Sequence, residues 1–578
     1  MGDRHPSPRE NRTRRARSGA ELLLEVLKTE GVGHIFGNPG TTELALMDAL
    51  SASSRISYVL GLHESVCVGM ADGYARATGR PSFVNLHSAA GLGNAVGVLS
   101  NVAATRTPMV VTAGQQDQRH LFAEPFLSGR LTEIAGGFAK QVTEVHRLED
   151  LAFVLRRAFR DAAAAPAGPV FLSIPMDLLE EETDATVPPA TTVDQRAVPA
   201  ALGDLAELVT GVARRRFAVV AGDEVASAGA VGALVSVAER LGCAVYGTPF
   251  HSSLVFPTTH PLWSGALPAD ASQMADLLSS YDRVLLIGSR GFMTFVYKDV
   301  WPLPEHVELL HLSPAAGDLG RTYPALLAVA GDPRATLEAL APLLDPLDPD
   351  EVAAAAAAVA GLSARRTAEA DARADAAGPD LDSAGRMHPL AAVRAVLSAL
   401  PPETTVVDEA VTNDPYVRAF HRVREPGRFL YSRGGGLGWG VAAALGVSLA
   451  TDRSPVVAVT GDGSFLYTPQ AFWTAVREDL PVVAVVLNNR GYLILRRILS
   501  DMRESGGPGN EQAPRGRSGF VGLDIAGPDV DLLAVAEGFG ASAVRVDKLS
   551  DVGDAVSAAL SARRPFLVEI GVAAPPQG

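Results

Sequence analysis

Two short stretches of this 578-residue chain carry residue types that could hold a cation and an anion side by side. In "PVVAVTGDGSFLYTPQ" an apolar run ends at Gly461-Asp462-Gly463-Ser464, and a helical pattern follows. An acid flanked by glycines at the carboxyl end of a strand can bind a divalent cation, while free N–H groups at the helix start face an anion. Taken alone, Gly-Asp-Gly is also a common turn. Downstream, "LPVVAVVLNNRGYLILRR" ends a second apolar run at Asn488-Asn489. If the two strands are neighbours, Asn489 offers an amide oxygen and Gly491 a backbone carbonyl to the cation held by Asp462. A third candidate is Glu64 in "YVLGLHESVCVGMADGYARATG", an acid with no basic residue beside it where an apolar run meets a small-residue helical stretch. A carboxylate removed from water costs on the order of several kcal/mol unless it is paired or takes up a proton. Taken alone, Glu64 also reads as a solvated helix-start acid stabilised by the helix dipole.

The elements that must position these residues are legible as a pattern. Short β-branched runs ("SFVNLHSAAG", "PMVVTAG", "PVFLSIP", "FAVVAG", "RVLLIG", "PVVAVTGDG", "PFLVEI") alternate with Ala-rich helical stretches. Continuous apolar strands separated by helices indicate parallel sheets covered on both faces, so the class is α/β. The length suggests three or four units, of which three are taken. "EEETDATVPPATTVDQRAVPA" ends the first and "DPLDPDEVAAAAAAVAGLSARRTAEADARADAAGPD" ends the second, the latter as a solvated Ala-rich helix. The expected plan is a disordered Arg-rich tail over 1–18, domains over 19–190, 191–345 and 380–574, and a linker over 346–379. "MRESGGPGNEQAPRGRSGF", Met502 to Phe520, reads as either a flexible loop or a lid.

Composition excludes several classes. A hydrophobic fraction of 47%, with 20% charged residues and no apolar stretch long enough to cross a bilayer, is that of a globular protein with no membrane role. The net charge of -15 argues against nucleic acid as the main partner. Cys67 and Cys243 form no disulfide framework or zinc spacing, which fits a cytoplasmic location and buried thiols. After Arg14-Arg15 comes the amphipathic "AELLLEVLKTEG", not the apolar core an export signal needs. The middle third has no Gly-x-Gly-x-x-Gly after a strand, so no bound dinucleotide, FAD included, is expected.

Gly-Asp-Gly followed some two dozen residues later by Asn-Asn resembles the diphosphate and metal motif of thiamine-diphosphate-dependent enzymes. "FGNPGTTELALMDAL", "HESVCVGMADGYARATGRPSFVNLHSAAGLGNAVGVLSN", "VVTAGQQ", "GRMHP" and "GGGLGWGVAAALG" extend the resemblance, in order, across nearly the whole chain. Together they look most like benzoylformate decarboxylase and its relatives. The resemblance implies three doubly wound parallel-sheet domains: pyrimidine-binding, degenerate middle and diphosphate-binding. It implies thiamine diphosphate as cofactor with Mg2+, for which Ca2+ can substitute. It further implies a homodimer or homotetramer whose site lies between subunits.

The family's residue roles carry over position by position. Glu64 matches the acid that hydrogen-bonds N1′ of the aminopyrimidine, favouring the tautomer whose N4′ takes the proton from thiazolium C2. Gly435 matches the carbonyl acceptor for N4′, and Leu437 matches the apolar wedge that bends the cofactor. Pro39 and Gly40 match the stretch over the pyrimidine. Thr412, Gly463 and Ser464 match the diphosphate side, while Asp462, Asn489 and Gly491 match the metal ligands. His87 matches a proton-carrying active-site histidine. Thr41 stands where these decarboxylases carry a serine.

Besides Thr41, two positions depart from the pattern. Phe295 falls where the family has its second active-site histidine, and phenylalanine donates no proton. Phe126 and Ile494 match pocket-lining positions, and Ile494 is bulkier than the small residue of aromatic-acid decarboxylases, which favours an aliphatic 2-oxo acid. The leading expectation is a 2-oxo acid decarboxylase: ylide addition, CO2 loss and enamine protonation to an aldehyde. The alternative is an acetolactate-synthase-like carboligase joining the enamine to a second carbonyl compound, such as an aldehyde acceptor. A cofactor-binding relative without turnover is a third reading, disfavoured by intact Glu64, Asp462, Asn489 and Leu437.

Overall fold

The computed structural model describes residues 16–52, 55–344, 348–378, 381, 385–504 and 520–573. Three six-stranded, wholly parallel sheets follow one another along the chain, each flanked by helices. In the first, the strands lie in the order Ser57–Leu60, His34–Gly37, Ser82–Leu86, Met109–Gln115, Pro169–Pro175, Gln141–Glu144. The third repeats that winding with Phe429–Tyr431, Thr405–Glu409, Val456–Gly461, Val482–Asn488, Phe566–Gly571, Ser542–Val546. The middle sheet differs: Trp263–Ala266, Ala244–Gly247, Phe217–Ala221, Arg283–Ile287, Glu308–Ser313, Leu327–Ala330, the winding of dinucleotide-binding folds. The strands are short; the central ones are almost fully buried, as runs of valine, isoleucine and alanine between two helical layers should be, while edge strands such as Ser57–Leu60 and Gln141–Glu144 are partly exposed.

In the third sheet Val456–Gly461 and Val482–Asn488 are adjacent and in register from Val456 opposite Val482 to Gly461 opposite Leu487. Asp462 and Asn489 therefore leave neighbouring strand ends on the same edge, where open α/β sheets bind ligands.

The first and third units pack through two helices, Glu64–Thr78 and Gly440–Ala450. The small residues of "VGMADGYARATG" serve this contact. A Cβ on Gly73 would lie 2.1 Å from the Ala443 carbonyl oxygen, and one on Gly446 would lie 1.9 Å from that of Met70. Asp72 accepts a hydrogen bond from the Trp439 indole at 2.7 Å inside the same interface. At the carboxyl end of the middle sheet, Asp223 pairs with Arg433 at 2.9 Å and Glu224 pairs with Arg106. Both arginines come from the neighbouring units.

Two segments differ from the sequence-based plan. Arg17–Ser18, assigned to a disordered tail, pairs antiparallel with Glu182–Thr183, where the Arg17 guanidinium bonds Glu25; residues 1–15 lie outside the described residues. The linker expected to be a solvated helix is Pro349–Ala377, but it is not free of the body. Ala355, Ala370 and Ala374 are buried, and Ser363 donates to the Trp263 carbonyl at 2.9 Å, so the helix straps the middle and third units together. Of the loop-or-lid stretch, Met502 and Arg503 end the helix Leu493–Glu504 and Phe520 is described; 505–519 lie outside the described residues. Cys67 and Cys243 are both buried free thiols.

Candidate active site

Glu64 opens the helix Glu64–Thr78, whose start is capped by His63 Nδ1 accepting from the Ser65 N–H at 3.1 Å. The carboxylate is 9% exposed and its Oε2 accepts from Asn94 Nδ2 at 3.0 Å. No basic side chain pairs with it among the described residues. Gly91 lies against it so closely that a Cβ there would sit 2.9 Å from Oε1. The acid is thus buried, aimed by a neutral amide and left able to accept from a ligand.

His87 ends the strand Ser82–Leu86 and sits behind Gly40, where any Cβ would lie 2.2 Å from the imidazole. Its Nδ1 lies 2.9 Å from Glu43 Oε2 and 3.0 Å from Thr42 Oγ1. Glu43 is a site residue that the sequence reading did not single out. It is buried in "TTELALMDAL" and accepts from the backbone N–H of Gly40 at 2.9 Å and of Gly114 at 3.1 Å. An acid inside an otherwise apolar stretch was the available signal. Its hydrogen bond, and then its charge, raises the His87 pKa, with burial opposing.

That shift has a definite sign. A raised histidine pKa contributes stability that is fully present below the unfolded value of about 6.5 and is lost as pH rises through the raised folded value. Glu43→Gln is expected to move the His87 titration back toward about 6.5, measured by NMR of labelled histidine. An unmoved titration would show that Glu43 does not set it.

On the third unit, Asp462 is 3% exposed and its Oδ2 accepts from the Gly491 N–H at 3.1 Å. Burial raises its pKa, against backbone N–H groups of Asn489, Gly463 and Gly491 that lower it. Beside it, Asn489 Oδ1 is buried with no hydrogen-bond partner. Gly463 packs on Tyr492, leaving no room for a Cβ (2.9 Å), and Ser464 is buried in the following turn. Thr412 is buried in the 3-10 turn Val411–Asn413. Gly435 has φ +75, and nothing lies within 4 Å of where its Cβ would be. Leu437, two residues on, is half-buried.

The substrate-side positions are mostly open. Thr41 is exposed, Phe126 is 88% exposed, and Ile494 is half-buried on the helix Leu493–Glu504. Phe295 is 62% exposed, with its ring edge-on to Phe250 at 6.3 Å; Phe250 in turn stacks on Tyr431. The structure therefore gathers the residues into two sets. Pro39, Gly40, Glu64 and His87 belong to the first unit; Thr412, Gly435, Leu437, Asp462 and Asn489 belong to the third. Among the described residues no hydrogen bond or ion pair joins Glu64 to Asp462.

Family models for the thiamine pyrophosphate enzymes match the chain three times: the N-terminal TPP binding domain over residues 17–130, the central domain over 206–340 and the C-terminal TPP binding domain over 412–570. The chain is a thiamine pyrophosphate enzyme. Its relatives include the benzoylformate decarboxylase of Pseudomonas aeruginosa, 34% identical over 94% of this chain and 97% of that protein. Another is the acetolactate synthase isozyme 3 large subunit of Escherichia coli, 29% identical over 85% of each chain. Among solved structures, the thiamine diphosphate-dependent 4-hydroxybenzoylformate decarboxylase of Rhodococcus jostii RHA1 superimposes with a TM-score of 0.83 at 28% identity, covering 96% of this chain and 99% of that one. This thiamine pyrophosphate enzyme accordingly belongs with the decarboxylases and carboligases, and its three parallel-sheet domains are the family fold.

The residues present fit the cofactor and a metal. The orphaned Asn489 oxygen beside a buried carboxylate is a donor set short of a partner, and both donors are hard oxygens suited to Mg2+. No group of three His, Cys, Asp or Glu side chains suited to a metal occurs among the described residues. The cation would thus take its remaining ligands from the Gly491 carbonyl, from water and from diphosphate oxygens, the usual Mg2+ arrangement.

Proposed function

We propose that this enzyme decarboxylates 2-oxo acids with thiamine diphosphate and Mg2+, in the cytoplasm, as a homodimer or homotetramer with each site shared between two chains. The observation that carries the reading is the pairing of a buried, cation-free Glu64 with the orphaned Asn489 oxygen beside Asp462, in a chain of this family. Bound there, thiamine diphosphate supplies the electron sink needed to break the bond between the keto carbon and the carboxylate. Glu64, oriented by Asn94, holds the proton at N1′ of the aminopyrimidine. The Gly435 carbonyl would accept from the 4′-amino group, and Leu437 would pack against the bound cofactor. Asp462, Asn489 and the Gly491 carbonyl hold Mg2+, with Thr412, Gly463 and Ser464 on the diphosphate side. Pro39 and Gly40 cover the pyrimidine, and His87, kept basic by Glu43, moves a proton at the substrate.

The shared site is supported by what surrounds each half. Leu44 and Leu62 stand exposed near the first set, Tyr467 and Leu495 near the second, as large apolar groups awaiting a partner surface do. Ile494, with Phe126 and Thr41, favours an aliphatic 2-oxo acid over a bulky aromatic one.

One observation favours a second reading, carboligation. Phe295 stands edge-on to Phe250, so the position that matches the family's second active-site histidine offers no imidazole to protonate the product. Holoenzyme is given aromatic, branched and short 2-oxo acids with and without an aldehyde acceptor, and the organic product is identified. Aldehyde alone eliminates the ligase, and a 2-hydroxy ketone as sole product eliminates the simple decarboxylase. Phe295→His is expected to raise the share of free aldehyde several-fold, read by chromatography of the product mixture. An unchanged product ratio would show that Phe295 does not govern the partition.

A further inference from the structure

The loop Gly434–Gly440 carries the two groups that must meet the cofactor, and it is held in an unusual way. Asn101, 1% exposed on the helix Ser88–Thr105 of the first unit, grips Gly436 on both sides. Its Oδ1 accepts from the Gly436 N–H at 2.9 Å and its Nδ2 donates to the Gly436 carbonyl at 2.8 Å. Gly434 packs on the same side chain, where a Cβ would lie 2.4 Å from Oδ1. From the opposite side comes Glu409, the last residue of the strand Thr405–Glu409. It is 6% exposed, and its two oxygens accept from the N–H groups of Trp439 at 3.0 Å and Gly440 at 2.9 Å. Thr468 Oγ1 donates to the Gly438 carbonyl at 2.6 Å.

Residues 436, 438, 439 and 440 are therefore each tied to a buried side chain. By contrast, no hydrogen bond among the described residues takes the Gly435 carbonyl or the Leu437 amide, and Gly435 faces open space. A buried carboxylate with no cationic partner is a costly way to hold a loop, and a buried amide with both ends on one peptide is a specific one. Ordinary loop packing requires neither.

We propose that Asn101 and Glu409 are positioning residues that clamp this loop from two domains, so that the Gly435 carbonyl and the Leu437 side chain are presented to the bend of thiamine diphosphate. This rests on the cofactor reading above. The clamp acts on the pyrimidine–thiazolium part of the ligand and not on its diphosphate, which belongs to Asp462 and Thr412. Because Asn101 belongs to the first unit and Glu409 to the third, the loop geometry also depends on how these two units dock.

The distinction makes the test. Calorimetric titration with Mg2+ compares thiamine diphosphate with inorganic diphosphate on the wild type, Asn101→Ala and the near-isosteric Glu409→Gln. The expected result is a roughly tenfold loss of thiamine diphosphate affinity with inorganic diphosphate affinity unchanged within about twofold. At saturating cofactor, kcat should fall while KM for the 2-oxo acid holds. Equal losses for both ligands in Glu409→Gln, or wild-type affinity for thiamine diphosphate in both variants, would overturn the clamp. A wild type that binds inorganic diphosphate but not thiamine diphosphate would instead overturn the cofactor reading beneath it.

Discussion

Glu64→Gln is expected to leave the fold and the cofactor affinity nearly intact and to cut turnover by about 10²- to 10⁴-fold, the range of a positioned acid–base group. The amide keeps the shape of the carboxylate, and the surroundings of Glu64 tolerate it. The nearest polar partner is Asn94 Nδ2, which can still donate to the glutamine oxygen, and no ion pair is broken. On the proposed reading, what the variant loses is the charge that would hold a proton at the aminopyrimidine nitrogen and so activate the cofactor. Such a loss appears in kcat and in kcat/KM alike. Circular dichroism and calorimetry check the fold and the binding, and steady-state CO2 release checks the rate. Full activity in a correctly folded variant would remove Glu64 from the mechanism.

Asp462→Ala should act on binding. Removing the carboxylate takes away the acid whose partners include the Asn489 and Gly491 N–H groups, and a buried hydrogen-bonded or ion-paired charge typically contributes a few kcal/mol. Mg2+ and thiamine diphosphate should weaken together, each by about 10²-fold or more, because each completes the other's coordination. Without ligand the change in stability should be small, since relief from burying the charge offsets the loss of the backbone N–H bonds that Asp462 accepts. Titration of Mg2+ at fixed cofactor, with a thermal melt of the apoprotein, measures both effects. Unchanged metal affinity would place the cation elsewhere.

Some of this architecture is legible in residue order and some is not. The α/β class follows from buried β-branched runs such as Val456–Gly461, because a strand covered on both faces must be apolar throughout. Asp462 and Asn489 were readable as a pair since strand ends and glycine turns have local signatures. Glu64 stands out through the absence of a Lys or Arg neighbour in sequence, and among the described residues no basic side chain forms an ion pair with it. Glu43, Asn94, Asn101 and Glu409 were not singled out, for a common reason: each acts on a residue distant in the chain or on a backbone group that leaves no trace in composition. Asn101 reaches Gly436, and Glu43 reaches Gly114 and His87. The helix Pro349–Ala377 is solvated along most of its length, as its composition suggests, but the contacts of Ala355, Ala370 and Ala374 were not legible because alanine is equally at home exposed or pressed against another helix.

The central claim is that the Glu64 set and the Asp462 set form one thiamine diphosphate and Mg2+ site that decarboxylates 2-oxo acids. Protein stripped of metal and cofactor, then supplied with thiamine diphosphate, with Mg2+, with both or with neither, tests it through CO2 released from a panel of aliphatic and aromatic 2-oxo acids. The account predicts release from at least one acid only when both are present, with aliphatic acids preferred. No CO2 from any acid in the fully reconstituted protein, or release that is independent of the cofactor, would contradict it.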